Sequence, residues 1–334
     1  MILGHGDDIY SHNKPIVSNF SSNIYSRQNL SDLQQYLCSH IDAIHSYPEP
    51  DASSLLKLLA QKHSVGTENI SVTNGATEAI YLIAQAFQNS VSSIISPTFS
   101  EYGDASCVNN HKVQYVRCLQ EVDPYANLVW ICNPNNPTGT VTSKDLLKEY
   151  IVSHPLQYIV IDQSYEHFTT KDLFSVEEAS GYKNVLLLHS MTKHYAIPGL
   201  RLGYITAHTE TLRMISKYRM PWSVNGLAIE AGRFLLEKED ATIDLNNYLI
   251  ETKRLQNELN RIDGIIVLPS DTHFFLCKLE NKKASDLKKY LIDDYGILIR
   301  DAANFNGLNE HYFRIATQSK EENNLLVKGI KGWI

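Results

Sequence analysis

The chain is poor in cysteine, in long apolar runs and in blocks of like charge. Its 334 residues include five cysteines, Cys38, Cys107, Cys118, Cys132 and Cys277, an odd number without C-x-x-C pairing or zinc-finger spacing. That gives no basis for a disulfide framework or a metal site, and it fits reduced thiols in a cytoplasmic protein. No apolar run approaches the ~18 residues of a membrane span. The opening MILGHGDDIY has no basic segment and reaches Asp7 too early for a signal sequence. The net charge of −7 comes from scattered acids, so neither nucleic acid nor an anionic membrane is an expected partner. Repeats, low-complexity tracts and the G-x-x-x-x-G-K-[ST] nucleotide loop are also missing.

What is present is an ordered alternation. Between about residues 53 and 210, short β-rich runs (ISVTNG, SSIISP, KVQYVRC, NLVWICNP, YIVIDQS, NVLLLHS, LGYITA) alternate with helical stretches. Several are apolar throughout, as strands buried on both faces are. The expected fold is α/β, a large domain with a mainly parallel sheet between helices and a smaller α+β domain. The boundaries predicted are 40–230 for the large domain, with 1–39 and 231–334 forming the small one.

In open α/β sheets, ligands gather at the carboxyl ends of the strands, and the notable polar residues fall there. ISVT runs into Asn74-Gly75-Ala76-Thr77-Glu78 and then a helix, a potential anion site because the first amides of a helix lack partners. An ordinary turn capped by Thr77 accounts for the same residues. LVWIC leads into Asn133-Pro134-Asn135-Asn136-Pro137-Thr138-Gly139, a rigid turn able to present an asparagine amide. YIVI ends at Asp162, with Tyr165 three positions on; a carboxylate there needs a partner, which a cap or a core ion pair would also supply. NVLLLHS leads into SMTKHYAIPGLRLGY, where Ser190, Thr192 and Arg201 suit a phosphate and Lys193 could form a bond to an aldehyde. A lone lysine in this position more often simply reaches solvent. Taken together, these groups match the needs of pyridoxal 5′-phosphate.

NGATEAI, NPNNPTG, DQSY and SMTKHYAIPGLRLGY, in this order, resemble the aspartate-aminotransferase-like superfamily of fold type I pyridoxal-phosphate enzymes, over nearly the whole chain. The resemblance implies that Lys193 carries the cofactor's aldehyde, that Asp162 pairs with the ring nitrogen, and that Tyr165 and Asn136 bond the ring oxygen. It assigns the phosphate to Ala76, Thr77, Ser190, Thr192 and Arg201. Phe99 in SPTFSEY matches the aromatic that stacks on the ring, although a core phenylalanine would look the same. Tyr47 in SYPEP matches a tyrosine reaching the neighbouring subunit's phosphate, which implies a homodimer.

The cofactor does not choose the reaction; the groups that anchor the substrate do. Arg300 in LIRDAANF and Arg314 in YFRIAT end β-like runs and suggest a substrate with two anionic groups, unless each is a surface ion-pair residue. HGDDIY, NFSSNI and IRDAANFNGLNEHYFRIAT look most like the threonine-phosphate decarboxylases of cobalamin biosynthesis, which form aminopropanol phosphate. By that resemblance His5, Ser22 and Asn23 reach the substrate, with Arg300 and Arg314 on its phosphate and carboxylate. The usual His-Gly-Gly opening reads Gly4-His5-Gly6-Asp7 here, and the usual Asp-Glu-Ala reads Asp162-Gln163-Ser164. The alternative is a class I/II aminotransferase, foremost histidinol-phosphate aminotransferase, which shares the cofactor motifs. A non-catalytic binding protein on the same fold is disfavoured by the intact Lys193 and Asp162.

Overall fold

The computed structural model describes residues 6–238 and 243–334; His5 lies outside them. A short β1 (Ser18–Asn19) precedes seven strands, β2 (Ile70–Thr73), β3 (Val91–Ile95), β4 (Lys112–Val116), β5 (Leu128–Cys132), β6 (Tyr158–Asp162), β7 (Val185–Ser190) and β8 (Gly203–Ala207). These seven form one sheet in the order β2-β8-β7-β6-β5-β3-β4. All pairings from β4 to β7 are parallel, and only β8 runs against its neighbours.

The side-chain period of two divides the strands cleanly. Leu128, Trp130, Val160, Leu186 and Leu188 face one buried cluster with helix 75–86. Val129, Ile131, Ile159, Ile161, Val185 and Leu187 face another with helix 144–153. Two apolar faces are why these strands read as unbroken hydrophobic runs. β4 is different: Lys112, Gln114 and Tyr115 are exposed, because it is an edge strand with charge and polarity on its open side.

After helices Gly226–Glu237 and Leu245–Leu259 come β9 (Ile265–Val267), β10 (Phe274–Leu279), β11 (Ile297–Leu298), β12 (Arg300–Asp301) and β13 (Tyr312–Ala316). The second sheet is antiparallel in the order β12-β13-β10-β9. Its core includes Phe275, Phe313, Ile315 and Leu326, covered by helices 245–259, 284–295 and 320–333. The last helix opens with a Ser319–Glu322 capping box.

The N-terminal segment is shared between the two regions. β1 pairs in parallel with β11, and Phe20 bonds both Leu298 and Ala316 through its backbone. Helix Ser31–Ser39 instead packs on the first sheet's side, with Leu33 in a cluster with Leu55, Leu59 and Ala228. Residues 20–24 are thereby held between the two sheets. Among the described residues, no helix is long and apolar enough to cross a membrane.

Gly203, at the start of β8, fixes how closely β8 meets the turn after β2. A Cβ there would lie 2.7 Å from the Ala76 amide nitrogen and 2.8 Å from the His189 carbonyl oxygen. Both are backbone atoms that cannot swing aside. Gly203→Ala should therefore destabilise the fold by roughly 1–3 kcal/mol, seen as a lower urea midpoint; a wild-type midpoint would contradict this close approach.

Candidate active site

A cavity of about 310 Å³ opens between the two sheets. Its floor is made by the ends of β5, β6 and β7. The other side is lined by Gly6, Asp7 and residues 21–24 and by Arg300, Asn304, Phe305 and Arg314 on and around β12 and β13.

Asp162 is the last residue of β6 and only 4% exposed. It accepts from the Tyr102 hydroxyl at 2.7 Å, the Ser164 hydroxyl at 2.6 Å and the Ser164 amide at 2.9 Å. These are the partners that a buried carboxylate requires. Burial and the neighbouring Asp162 charge push the Tyr102 pKa well upward, so this hydroxyl stays a donor. Tyr165 follows in the turn beyond β6. Burial raises its pKa to about 12 against the opposing charge of Arg314, and its oxygen accepts from Asn23 Nδ2 at 3.3 Å.

In the turn after β5 the two asparagines divide the work. Asn135 builds the turn, accepting from Thr98 Oγ1 at 3.0 Å and donating to Pro97 O at 2.9 Å. Asn136 lines the cavity, where its Oδ1 accepts from Arg314 Nη1.

Lys193 lies in the turn after β7. Burial, then the charges of Arg314 and Arg201, lower its pKa from 10.5 to about 8, while Asp7 and Asp162 oppose the shift. At pH 7 roughly one in ten of these amines is therefore uncharged, far more than at the ordinary value, and a nucleophilic lysine needs that form.

Ser190, Thr192, Arg201, Ala76 and Thr77 meet at one end of the cavity. Helix Gly75–Ala86 points its N-terminus there, where the first amides have no carbonyl four residues back. Gly75 has φ +77°, and a Cβ on it would sit 2.8 Å from Arg201 Nη2. Only glycine lets the guanidinium lie across that helix end. Phe99 also lines the cavity, edge-on to Tyr102 with centroids 5.9 Å apart.

Arg300 and Arg314, fourteen positions apart in the chain, are direct cross-strand partners on β12 and β13. Both are buried and both line the cavity. Arg314 donates to the Ser21 carbonyl at 2.5 Å, yet its Nε is buried with no hydrogen-bond partner among the described residues. Burial, countered by Tyr165 and reinforced by Arg300, draws its pKa down to about 10. Arg300 donates to Asn304 Oδ1 at 2.8 Å and sits over the Phe305 ring. Like charges facing across strands are unfavourable in themselves, so this pair is suited to an anion.

Ser22 and Asn23 line the cavity as well. Tyr47 does not: it is 86% exposed on the surface of its own chain, beside Trp222. Three residues that the motifs did not single out as site residues also belong here. Asp7, at φ +63°, accepts from Asn19 Nδ2 at 2.5 Å and faces into the cavity lining. Its unusual place in the opening motif was the available signal. Tyr102 closes SPTFSEY and Ser21 lies within NFSSNI, but those motifs drew attention to Phe99, Ser22 and Asn23 instead.

The chain matches the family model described as "Aminotransferase class I and II" over residues 15–330. It is 32% identical over 304 residues to a histidinol-phosphate aminotransferase of Caldanaerobacter subterraneus subsp. tengcongensis, covering 86% of this chain and 84% of that protein. It is 28% identical over 328 residues to the threonine-phosphate decarboxylase of Salmonella typhimurium, covering 93% and 90%. The crystal structure of L-threonine-O-3-phosphate decarboxylase from Porphyromonas gingivalis superposes with a TM-score of 0.93 at 39% identity, covering 95% of this chain and 99% of that one. With this fold, this cavity and this match, the chain belongs to the aminotransferase class I and II family and is a pyridoxal-phosphate-dependent enzyme.

Proposed function

We propose that the cavity binds pyridoxal phosphate through Lys193 and decarboxylates L-threonine O-3-phosphate to (R)-1-amino-2-propanol O-phosphate, in a cytoplasmic homodimer. The residues fit the cofactor. Gly75 leaves room for Arg201 across a helix N-terminus, which with Ser190, Thr192 and the Ala76 and Thr77 amides suits a dianionic phosphate. Asp162 would hold a proton at the ring nitrogen, Tyr165 and Asn136 would meet the ring oxygen, and Phe99 would cover a ring face. When bound, pyridoxal phosphate supplies an aldehyde for the substrate's amine and a ring that accepts electrons from the substrate's Cα.

The chain's own groups do the rest. Lys193 would be placed to move a proton at the substrate's Cα. Arg300 and Arg314 orient the substrate's phosphate and carboxylate, and that orientation selects the bond that breaks. Ser22 and Asn23 complete the lining, and His5 is proposed to join them. The observation that carries this reading is the buried cross-strand pair Arg300 and Arg314 in a chain 39% identical to a threonine-phosphate decarboxylase across 95% of its length. The second reading, transfer of an amino group between histidinol phosphate and 2-oxoglutarate, is favoured by relatives of 32% identity. Tyr47, exposed beside Trp222, is proposed to reach the phosphate site of the second subunit.

Three outcomes follow from these assignments. Borohydride should abolish the visible absorption band and leave the reduced cofactor on Lys193 in a peptide map; an adduct on another lysine would overturn the assignment. Because the Lys193 amine loses its proton near pH 8, the rate at which apoprotein takes up cofactor should climb through pH 8 and level off above about pH 9. A rate still climbing towards the ordinary lysine pKa would contradict this. Supplied with threonine phosphate, the holoenzyme should release carbon dioxide, and Arg314→Met should lower kcat/KM by roughly 10- to 100-fold, the scale of one lost charge-assisted contact. Turnover with histidinol phosphate and 2-oxoglutarate alone would favour the second reading.

A further inference from the structure

β6 and β7 run in register from Ile159 opposite Val185 to Asp162 opposite Leu188. The last ladder bond is the Gln163 amide to the Leu188 carbonyl, at 2.8 Å. Beyond it the segments part, one into the short turn Glu166–Phe168 and the other into Met191–His194. The first carries Asp162 and Tyr165, the second Ser190, Thr192 and Lys193. Sheet pairing no longer fixes one against the other at the point where both are needed.

Glu166 and His189 each neighbour a cavity residue in sequence, and they meet behind the cavity. His189 Nδ1 lies 2.9 Å from Glu166 Oε1; a carboxylate only accepts, so Nδ1 carries the hydrogen. The other ring nitrogen is 3.1 Å from Thr206 Oγ1 on β8. The ring stacks on Tyr204 with centroids 4.5 Å apart, and His189 is 1% exposed. The imidazole is thus held on both nitrogens and one face. Ser190 is the wall that this cluster shares with the cofactor cavity. The surrounding groups add to the tie. His167 Nε2 lies 3.7 Å from Glu166 Oε1, and its ring contacts His194 at 4.1 Å. His63 Nε2 is 2.9 Å from the Tyr204 hydroxyl, and Lys62 reaches Tyr195. Burial alone would raise the Glu166 pKa, but His189, then His167 and His63, hold it down to about 2, so the carboxylate stays charged.

We infer that Glu166 and His189 are positioning residues that fix the turn bearing Asp162 and Tyr165 against the turn bearing Ser190 and Lys193, and so set how tightly pyridoxal phosphate is held. The inference rests on the cavity assignment proposed above. A ligand gripped at its phosphate by one turn and at its ring by the other binds well only when the spacing between them is fixed.

The two ring nitrogens make the test specific. His189→Asn leaves a donor near Nδ1 and keeps the tie to Glu166; His189→Gln leaves one near Nε2 and keeps only Thr206. Apoprotein of the full chain is titrated with pyridoxal phosphate, read by its visible absorption. His189→Gln and Glu166→Gln should each weaken binding roughly 10-fold or more, His189→Asn by no more than about threefold, and the Glu166→Gln, His189→Gln double variant no further than the singles. Thermal unfolding of each apoprotein identifies any variant that fails to fold. Glu166→Asp, which keeps the charge but shortens its reach, then takes its place and should weaken binding too. Equal losses for Asn and Gln, or wild-type affinity throughout, would overturn the inference. Lys193→Ala is the control: if it alone loses the band, the cavity assignment stands without the pair, whereas a retained band overturns the assignment itself.

Discussion

Four cationic side chains, Lys193, Arg201, Arg300 and Arg314, converge on one cavity with the carboxylates of Asp7 and Asp162. Two of the cations come from the first sheet's loops and two from the second sheet. Packing the sheets together therefore concentrates positive charge in a partly desolvated space, where repulsion is strong. The lowered pKa values of Lys193 and Arg314 record that crowding together with burial. Anions relieve it, and a cofactor phosphate with an anionic substrate would do so at both ends of the cavity.

The surrounding architecture follows from holding these charges in place. Asp162 is anchored by Tyr102 and Ser164, Arg314 by Asn136 and the Ser21 carbonyl, and Arg201 by the space above Gly75. Most of these anchors link different segments of the chain, Ser164 being the exception. Arg314 ties the second sheet to the β5 turn and to the N-terminal segment, so the cavity exists only when all three are assembled. Glu166 and His189 extend the same logic one layer outward, behind Ser190.

Much of this was readable from the sequence because the first sheet is parallel. Its strands end on a common edge, so residues following ISVT, LVWIC, YIVI and NVLLLHS had to meet, whatever the details of their loops. The alternation of strand and helix was equally plain, since double-sided burial makes β5, β6 and β7 continuous apolar runs. The pairing of Arg300 with Arg314 was not readable, because it depends on the register across a turn. Nor were the bonds of Tyr102 to Asp162 and of Ser21 to Arg314, or the meeting of Glu166 with His189, because these residues lie in or beside motifs but their contacts join segments distant in the chain. The role of Tyr47 concerns a second chain, and a single sequence or a single subunit holds no geometry for it.

On the reading proposed above, this arrangement would remove the carboxylate of threonine phosphate and return a proton to Cα. The direct measurement is proton NMR of the holoenzyme turning over threonine phosphate in deuterium oxide. Decarboxylation should give aminopropanol phosphate carrying one deuterium on the carbon that lost the carboxylate, with the cofactor unchanged at the end. Threonine phosphate that keeps its carboxylate while its amino group is lost to the cofactor would contradict that reading.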